Sequence, residues 1–240
     1  MTIRIAMWSG PRSLSTAMMR AWENRADTTV VDEPLYACYL AETGIDHPMR
    51  AEVLASQSTD WREVVASLVG TAPDSAPIFY QKHMAHHLLP SMDRAFIDEL
   101  RVAFLIRSPR DILRSYGKKR DEVTLEDIGV AQLSELFDRV TEGRGHPPPV
   151  VLAEDVQRAP RATLEKLCRA LDVPFSERML SWPPGPRPTD GVWAPHWYEN
   201  VLRSTGFEPP RSQSKALPPH REALAERARP HWEKLLSARL

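Results

Sequence analysis

The sequence predicts a single α/β domain over residues 1–240, with a central parallel sheet of about five strands and helices on both faces. Three observations predict it. Short apolar runs alternate along the chain with stretches of helical periodicity. Polar residues follow the runs directly, at the carboxyl ends of strands where open α/β sheets hold their ligands. No clean linker and no internal repeat divides the chain, and its prolines cluster near 147–149 and 183–188, where they mark loops.

Residues 3–22, IRIAMWSGPRSLSTAMMRAW, read as strand, tight loop and helix. Ile3, Ile5 and Met7 alternate with Arg4, Ala6 and Trp8 in a mostly apolar run. Gly10 and Pro11 break it, and Leu14, Ala17, Met18 and Ala21 then recur at helical spacing, so a helix is expected from about Ser13. The loop carries Ser9, Arg12, Ser13, Ser15 and Thr16. Hydroxyls and an arginine at a helix start make a site for phosphate or sulfate, because free N–H groups and the positive end of the dipole lie there. A plain turn whose serines cap the helix is the other reading. The loop is not a full Walker A motif, since no lysine stands at the expected place.

Residues 28–31 form a β-branched second strand ending in Asp32-Glu33-Pro34. A carboxylate there can take a substrate proton; a turn-forming Asp beside a solvated Glu is the alternative. No motif fixes residues 35–60, although Tyr36, Tyr39 and His47 are placed to lie over the site. Residues 61–68 suit an amphipathic helix with Trp61, Val64, Val65 and Leu68 on one face. A third strand is expected over 77–81, followed at once by Lys82 and His83. In a helix His83, His86 and His87 would share a face, but no Cys or carboxylate with ligand spacing joins them, so no metal is expected. His83 fits a general base or hydrogen-bond donor instead.

Residues 102–106 give the clearest central strand, five apolar residues in a row. Ser108 as cap, Pro109 at the first helical position and Asp111 at the third then start a helix. Arg107 thus ends a strand and Ser115 lies two turns up the helix, so Arg107 can meet a phosphate on the edge that carries the first loop, or pair with Asp111. Lys118 and Lys119 read as solvated. A surface helix is expected over 124–142, a short fifth strand over 150–152, and a long amphipathic helix through Leu164, Leu167, Cys168 and Leu171. Beyond a Pro-rich loop at 182–191, which has the position of a lid, Trp193, Trp197 and Val201 suggest a helix ending at Gly206. The tail from Pro219 reads as a helix docked by Leu224, Trp232, Leu235 and Leu236. Strands alternating with helices in this way point to a P-loop NTPase-like domain.

Composition narrows the partners. A net charge of −1 argues against a nucleic-acid binder driven by overall charge. Cys38 and Cys168 make neither a disulfide framework nor a zinc site, which points to a reducing, cytoplasmic setting. No signal peptide or membrane-length apolar run is evident, so no membrane partner is expected.

Three separated stretches resemble the sulfotransferases that use 3′-phosphoadenosine 5′-phosphosulfate. Pro11-Arg12-Ser13-Leu14-Ser15-Thr16 is similar to that family's 5′-phosphosulfate loop, usually Pro-Lys-Ser-Gly-Thr-Thr. Arg107 and Ser115, eight residues apart in IRSPRDILRSYGKK, match its 3′-phosphate motif. Residues 152–175, LAEDVQRAPRATLEKLCRALDVPF, resemble its Glu-Asp-Leu…Pro-Phe segment, so the likeness spans about residues 3–175, a motif-bearing core followed by a helical part over 176–240. Gln81-Lys82-His83 with Leu88-Leu89-Pro90 is similar to the segment that carries the catalytic histidine in cytosolic members, and Asp32-Glu33-Pro34 to bacterial carbohydrate members whose base is a glutamate.

The resemblance implies transfer of a sulfonyl group to a hydroxyl or amine of a small-molecule acceptor, with the phosphosulfate donor as co-substrate and no metal. Residues 11–16 would hold the 5′-phosphosulfate, Arg107 and Ser115 the 3′-phosphate, Arg12 the leaving charge, and Glu33 or His83 the proton. Two departures bear on activity. Arg12 replaces the family lysine and Leu14 the family glycine, and the later Arg-Lys-Gly segment has only Arg203-Ser204-Thr205-Gly206 in its place. A non-catalytic nucleotide or metabolite binder and an ATP-dependent kinase keep the same fold; the missing Walker lysine counts against the kinase. Tyr36, Tyr39, Trp193 and Trp197 are candidates to line an acceptor pocket or, equally, a core.

Overall fold

A computed structural model describes residues 2–116, 123–210 and 216–240. The five strands are β1 (Ile3–Ser9), β2 (Thr28–Asp32), β3 (Ile78–Met84), β4 (Arg101–Ile106) and β5 (Val150–Leu152). They form one sheet in the order β2-β3-β1-β4-β5, every pair parallel. Lys118 and Lys119 lie outside the described residues.

Alternation along the central strands builds a core on each face. Ile5 and Met7 of β1 join Tyr80, Ala103 and Leu105 on one side. Ala6 and Trp8 join Phe79, Val102 and Phe104 on the other. The first face is covered by α1 (Ser15–Glu23), through Met18 and Trp22. After β2 come α2 (Tyr36–Thr43) and α3 (Arg50–Ser56), which pack on each other. The second face is covered by α4 (Trp61–Val69), capped by the Asp60 carboxylate at 2.9 Å from Arg62 N–H. Both faces are buried, which is why the strands read as near-continuous apolar runs. Each large apolar side chain so removed from water contributes roughly 1.5–3 kcal/mol.

After β4 comes α5 (Pro109–Tyr116), as its capping sequence predicts. The helix expected over 124–142 is two, α6 (Leu125–Ile128) and α7 (Val130–Arg144). Gly129, at φ 68°, makes the break. Thr124 and Asp127 close a capping box at the start of α6, and α7 packs Leu133, Leu136, Phe137 and Val140 on the second face. After β5, Pro160 divides the expected long helix into α8 (Ala153–Arg158) and α9 (Pro160–Ala170). Beyond the Pro-rich loop, α10 (Ala194–Trp197) and α11 (Glu199–Arg203) replace the one helix expected there. The terminal α12 (Pro219–Leu236) buries Leu224 and Leu235, with Trp232 half-buried against the core.

Two boundaries matter for the site. α1 begins at Ser15, not Ser13, because Arg12 (φ 60°) and Leu14 (φ 71°) are left-handed. β3 runs on to Met84, so Lys82 and His83 are strand residues pointing to opposite faces.

Candidate active site

Because every strand runs the same way, the loops after all five gather at one edge of the sheet, where a cavity of about 340 Å³ opens. Two linked groups of side chains share its wall.

The first group comes from β1–α1 and β4–α5. Leu14 is the N-cap residue of α1 and no side chain caps it; the first helical bond runs from Met18 N–H to Leu14 C=O at 3.0 Å. The N–H groups of Ser15, Thr16 and Ala17 therefore lack helical partners at the cavity wall. Arg12 Nε donates to Ser115 Oγ at 3.0 Å, and Arg107 Nη1 donates to the Arg12 carbonyl at 2.9 Å. Residues 95 and 103 positions apart in the chain thus meet as the resemblance requires. Burial lowers the pKa of Arg12, and the Arg107 guanidinium lowers it further, so this corner favours an anion. Arg107 does not pair with Asp111, which takes Arg114 at 2.9 Å. Its buried Nε has no hydrogen-bond partner and lies 3.9 Å from Glu154 Oε1, the oxygen that accepts Ser108 N–H at 3.3 Å. Two arginines and a helix start without a side-chain cap make this corner suited to anionic groups.

The second group surrounds Glu33, itself at φ 43°. Lys82 Nζ donates to Asp32 Oδ1 at 2.7 Å, Glu33 Oε1 at 2.5 Å and Tyr198 OH at 2.8 Å. Tyr198 OH donates to Asp32 Oδ2 at 2.6 Å and accepts Trp193 Nε1–H at 3.0 Å. Burial raises the Glu33 carboxyl above the ordinary carboxylate range; Lys82 pulls it back and Asp32 pushes it up. Burial works against the charge of Lys82, but Asp32 and Glu33 outweigh it and hold the ammonium well above its usual pKa. His87 stacks on Tyr36 at 4.5 Å, and the Tyr36 hydroxyl bonds to His47 Nδ1. Burial holds His86 down at about 4 and His87 well below its ordinary value, so both imidazoles are neutral at pH 7.

Glu33 stands in the cavity wall as expected, but His83 does not. It stacks on Trp8 at 4.2 Å, shares a hydrogen bond with Gln81 Oε1 at 3.2 Å, and is 1% exposed. The extension of β3 beyond residue 81 to Met84 decides this: Lys82 takes the cavity face, so His83 takes the opposite one. Burial lowers its pKa to about 3. Tyr36 and Trp197 line the cavity, whereas Trp193 is buried behind Tyr198 and Tyr39 stacks on His87. Sequence reasoning missed Tyr198, which carries no local signal in WAPHWYEN; only docking of α10 and α11 brings it to Asp32. The expected lid loop is tied down: Asp190 accepts Arg20 Nη2–H at 2.7 Å and Gly191 N–H reaches Asp32 Oδ2 at 3.2 Å. Among the described residues no group of three or more His, Cys, Asp or Glu is placed to hold a metal ion.

The strand order and the β1–α1 loop define a P-loop-like α/β protein. Within that class the chain belongs to the sulfotransferase domain family, whose model matches residues 3–239. Among curated proteins it is similar to two from Arabidopsis thaliana named branched-chain-amino-acid aminotransferase-like proteins 1 and 2. It is 39% identical to the first over 97% of this chain and 41% of that protein. With the second it shares 36% identity over 94% of this chain and 40% of that protein. The chain thus spans about two fifths of the length of these relatives. Among solved structures, the sulfotransferase domain of the Synechococcus PCC 7002 olefin synthase superposes with TM-score 0.55 at 18% identity, covering 94% of each chain. A sulfotransferase from Alicyclobacillus acidocaldarius gives 0.53 at 12% identity, covering 99% of this chain and 95% of that one. At such identities these likenesses speak to the fold. No helix among the described residues is long and apolar enough to cross a membrane.

Proposed function

We propose that the protein transfers a sulfonyl group from 3′-phosphoadenosine 5′-phosphosulfate to a hydroxyl or amine of a small-molecule acceptor. The observation that carries this reading is that the Arg12–Ser115–Arg107 group and Glu33 share one cavity wall. The donor, when bound, supplies the sulfonyl group and an adenosine 3′,5′-bisphosphate leaving group. Main-chain N–H groups of residues 12–16, with Ser13, Ser15 and Thr16, hold the phosphosulfate, and Pro11 sets the turn into that loop. Arg107 and Ser115 hold the 3′-phosphate. Arg12 adds positive charge where the leaving phosphate gathers negative charge, a preorganised stabilisation of the oxyanion type. The Glu33 carboxylate takes the acceptor proton. Its raised pKa makes it a stronger base than an exposed glutamate, and such a base is typically worth on the order of 10²- to 10⁴-fold in rate. Leu14 holds a left-handed backbone, at φ 71°, that a glycine would adopt without strain.

Titration calorimetry with adenosine 3′,5′-bisphosphate, with AMP and ADP–Mg²⁺ as comparators, tests the reading. Micromolar binding of the bisphosphate and weak binding of AMP are expected, followed by turnover in a screen of hydroxyl and amine acceptors. Preference for ADP–Mg²⁺ would favour a kinase instead. Tight bisphosphate binding with no transfer to any acceptor would leave a binding protein.

A further inference from the structure

Lys82 is 1% exposed, and all three hydrogens of its ammonium are engaged, by Asp32, Glu33 and Tyr198. The sheet register imposes the first contact, since Asp32 of β2 and Lys82 of β3 are direct partners across the ladder. The main chain supports the second: Glu33 N–H donates to the Lys82 carbonyl at 2.9 Å and Gln57 Nε2–H to the Glu33 carbonyl at 3.2 Å. Asp32 is satisfied on both oxygens, by Lys82 on one and by Tyr198 and Gly191 on the other. Two carboxylates against one ammonium leave a net charge of −1. In Glu33 the Oε1 atom is held by Lys82, whereas Oε2 makes no hydrogen bond among the described residues. His87 Nδ1 lies 3.9 Å from Oε2 and has no hydrogen-bond partner among the described residues.

We propose that Lys82, braced by Asp32 and Tyr198, is a positioning residue for Glu33: it locks Oε1 and leaves Oε2 as the oxygen that takes the acceptor proton. The inference rests on the proposed transfer for the identity of that proton. Glu33 Oε2 gains the proton as the acceptor oxygen or nitrogen bonds to sulfur. The sulfur–oxygen bond to the leaving phosphate breaks, with its electron pair going to that phosphate. Titratable groups face Glu33 from each packed element: Asp32 beside it, Lys82 from β3, His87 from the turn after β3, Tyr36 from α2 and Tyr198 from the α10–α11 junction. Burial raises the proton affinity of Glu33, and the two charges facing it then act in opposite directions, Lys82 lowering it and Asp32 raising it.

The test is a pH titration of protein carrying ¹³C in the glutamate side-chain carboxyl, followed by NMR. The Glu33→Gln variant assigns the signal by deleting it. In the wild type the midpoint is expected above the usual glutamate range. Lys82→Met should raise it by about one pH unit or more, because the opposing cation is gone. Asp32→Asn, nearly isosteric, should lower it, because the repelling carboxylate is gone and Lys82 acts on Glu33 alone. Loss of packing alone does not produce shifts of opposite sign. A folded Lys82→Met protein whose midpoint stays put or falls would overturn the proposal. If Lys82→Met does not fold, Asp32→Asn decides, and an unmoved or raised midpoint overturns it. Calorimetry on the same wild-type sample separates the two failures. Absence of bisphosphate binding counts against the transfer reading, whereas bisphosphate binding with unmoved midpoints counts against the brace alone.

Discussion

Three non-glycine residues at the cavity wall, Arg12, Leu14 and Glu33, hold positive φ. Such conformations cost of order 1–3 kcal/mol each and persist where surrounding contacts enforce them. At Leu14 the expected signature is a contrast. Leu14→Gly should change stability by less than about 1 kcal/mol, because relief of left-handed strain offsets lost packing, while Leu14→Val should cost about 1–2 kcal/mol through its branched β-carbon. Chemical denaturation of the two variants measures the difference, and equal losses would remove strain from the account. At Arg107 the expected effect is on binding. Arg107→Ala should weaken the bisphosphate by roughly 10- to 100-fold, the scale of a charge-assisted hydrogen bond, with unchanged circular dichroism. Unaltered affinity would take Arg107 out of the donor site. Glu33→Gln should abolish most turnover with any acceptor that the screen finds. In the wild type the rate should fall on acidification through the raised Glu33 pKa, since only the ionised carboxylate accepts a proton.

At the scale of elements, the β1–α1 turn is shaped by what packs beneath it. A Cβ on Gly10 would stand 2.4 Å from the carbonyl oxygen of Ile128, at the end of α6. Gly10→Ala must therefore push the loop and α6 apart. A loss of about 1–3 kcal/mol is expected, together with weaker bisphosphate binding, because residues 11–16 start from that glycine. Calorimetry and thermal melting read both, and a fully stable variant with native affinity would show that the close approach is not needed. The same scale explains how the loop before α10 reaches the site. Arg20 of α1 is buried and bonds to Glu23 at 3.2 Å and Asp190 at 2.7 Å, which ties that loop to the helix whose start forms the anion corner. Replacing it with Met leaves Asp190 uncompensated at 5% exposure, and breaking a buried pair in this way costs on the order of 3–5 kcal/mol.

For the whole molecule, buried neutral histidines set the response to acid. His83 and His86 have folded-state pKa values near 3 and 4, below the unfolded value of about 6.5. Below pH 6.5 the unfolded chain binds protons that the folded one refuses, so stability is full above that pH and declines as pH falls towards 4 and 3. The slope is about 1.4 kcal/mol per pH unit for each histidine held neutral. Urea denaturation across pH 4–7 measures it, and His83→Gln should flatten it. Much of this architecture is legible in the chain. The apolar runs of β1, β4 and β5 and the Ser108-Pro109 helix start need only local patterning, and each appears within two residues of its expected place. Arg12, Ser115 and Arg107 were expected together because the resemblance joins their motifs, and the folded chain brings them within hydrogen-bond reach. The base was not legible. Whether Glu33 or His83 meets the cavity turns on where β3 ends, and a shift of one residue in a strand moves a side chain to the other face. The chain's own chemistry therefore determined a parallel α/β sheet with Arg12 and Arg107 after its strands, because periodicity and spacing are local. Only the tertiary structure decided that Lys82, not His83, joins Glu33, and that Tyr198 completes the group, because register and docking depend on contacts between residues far apart in sequence.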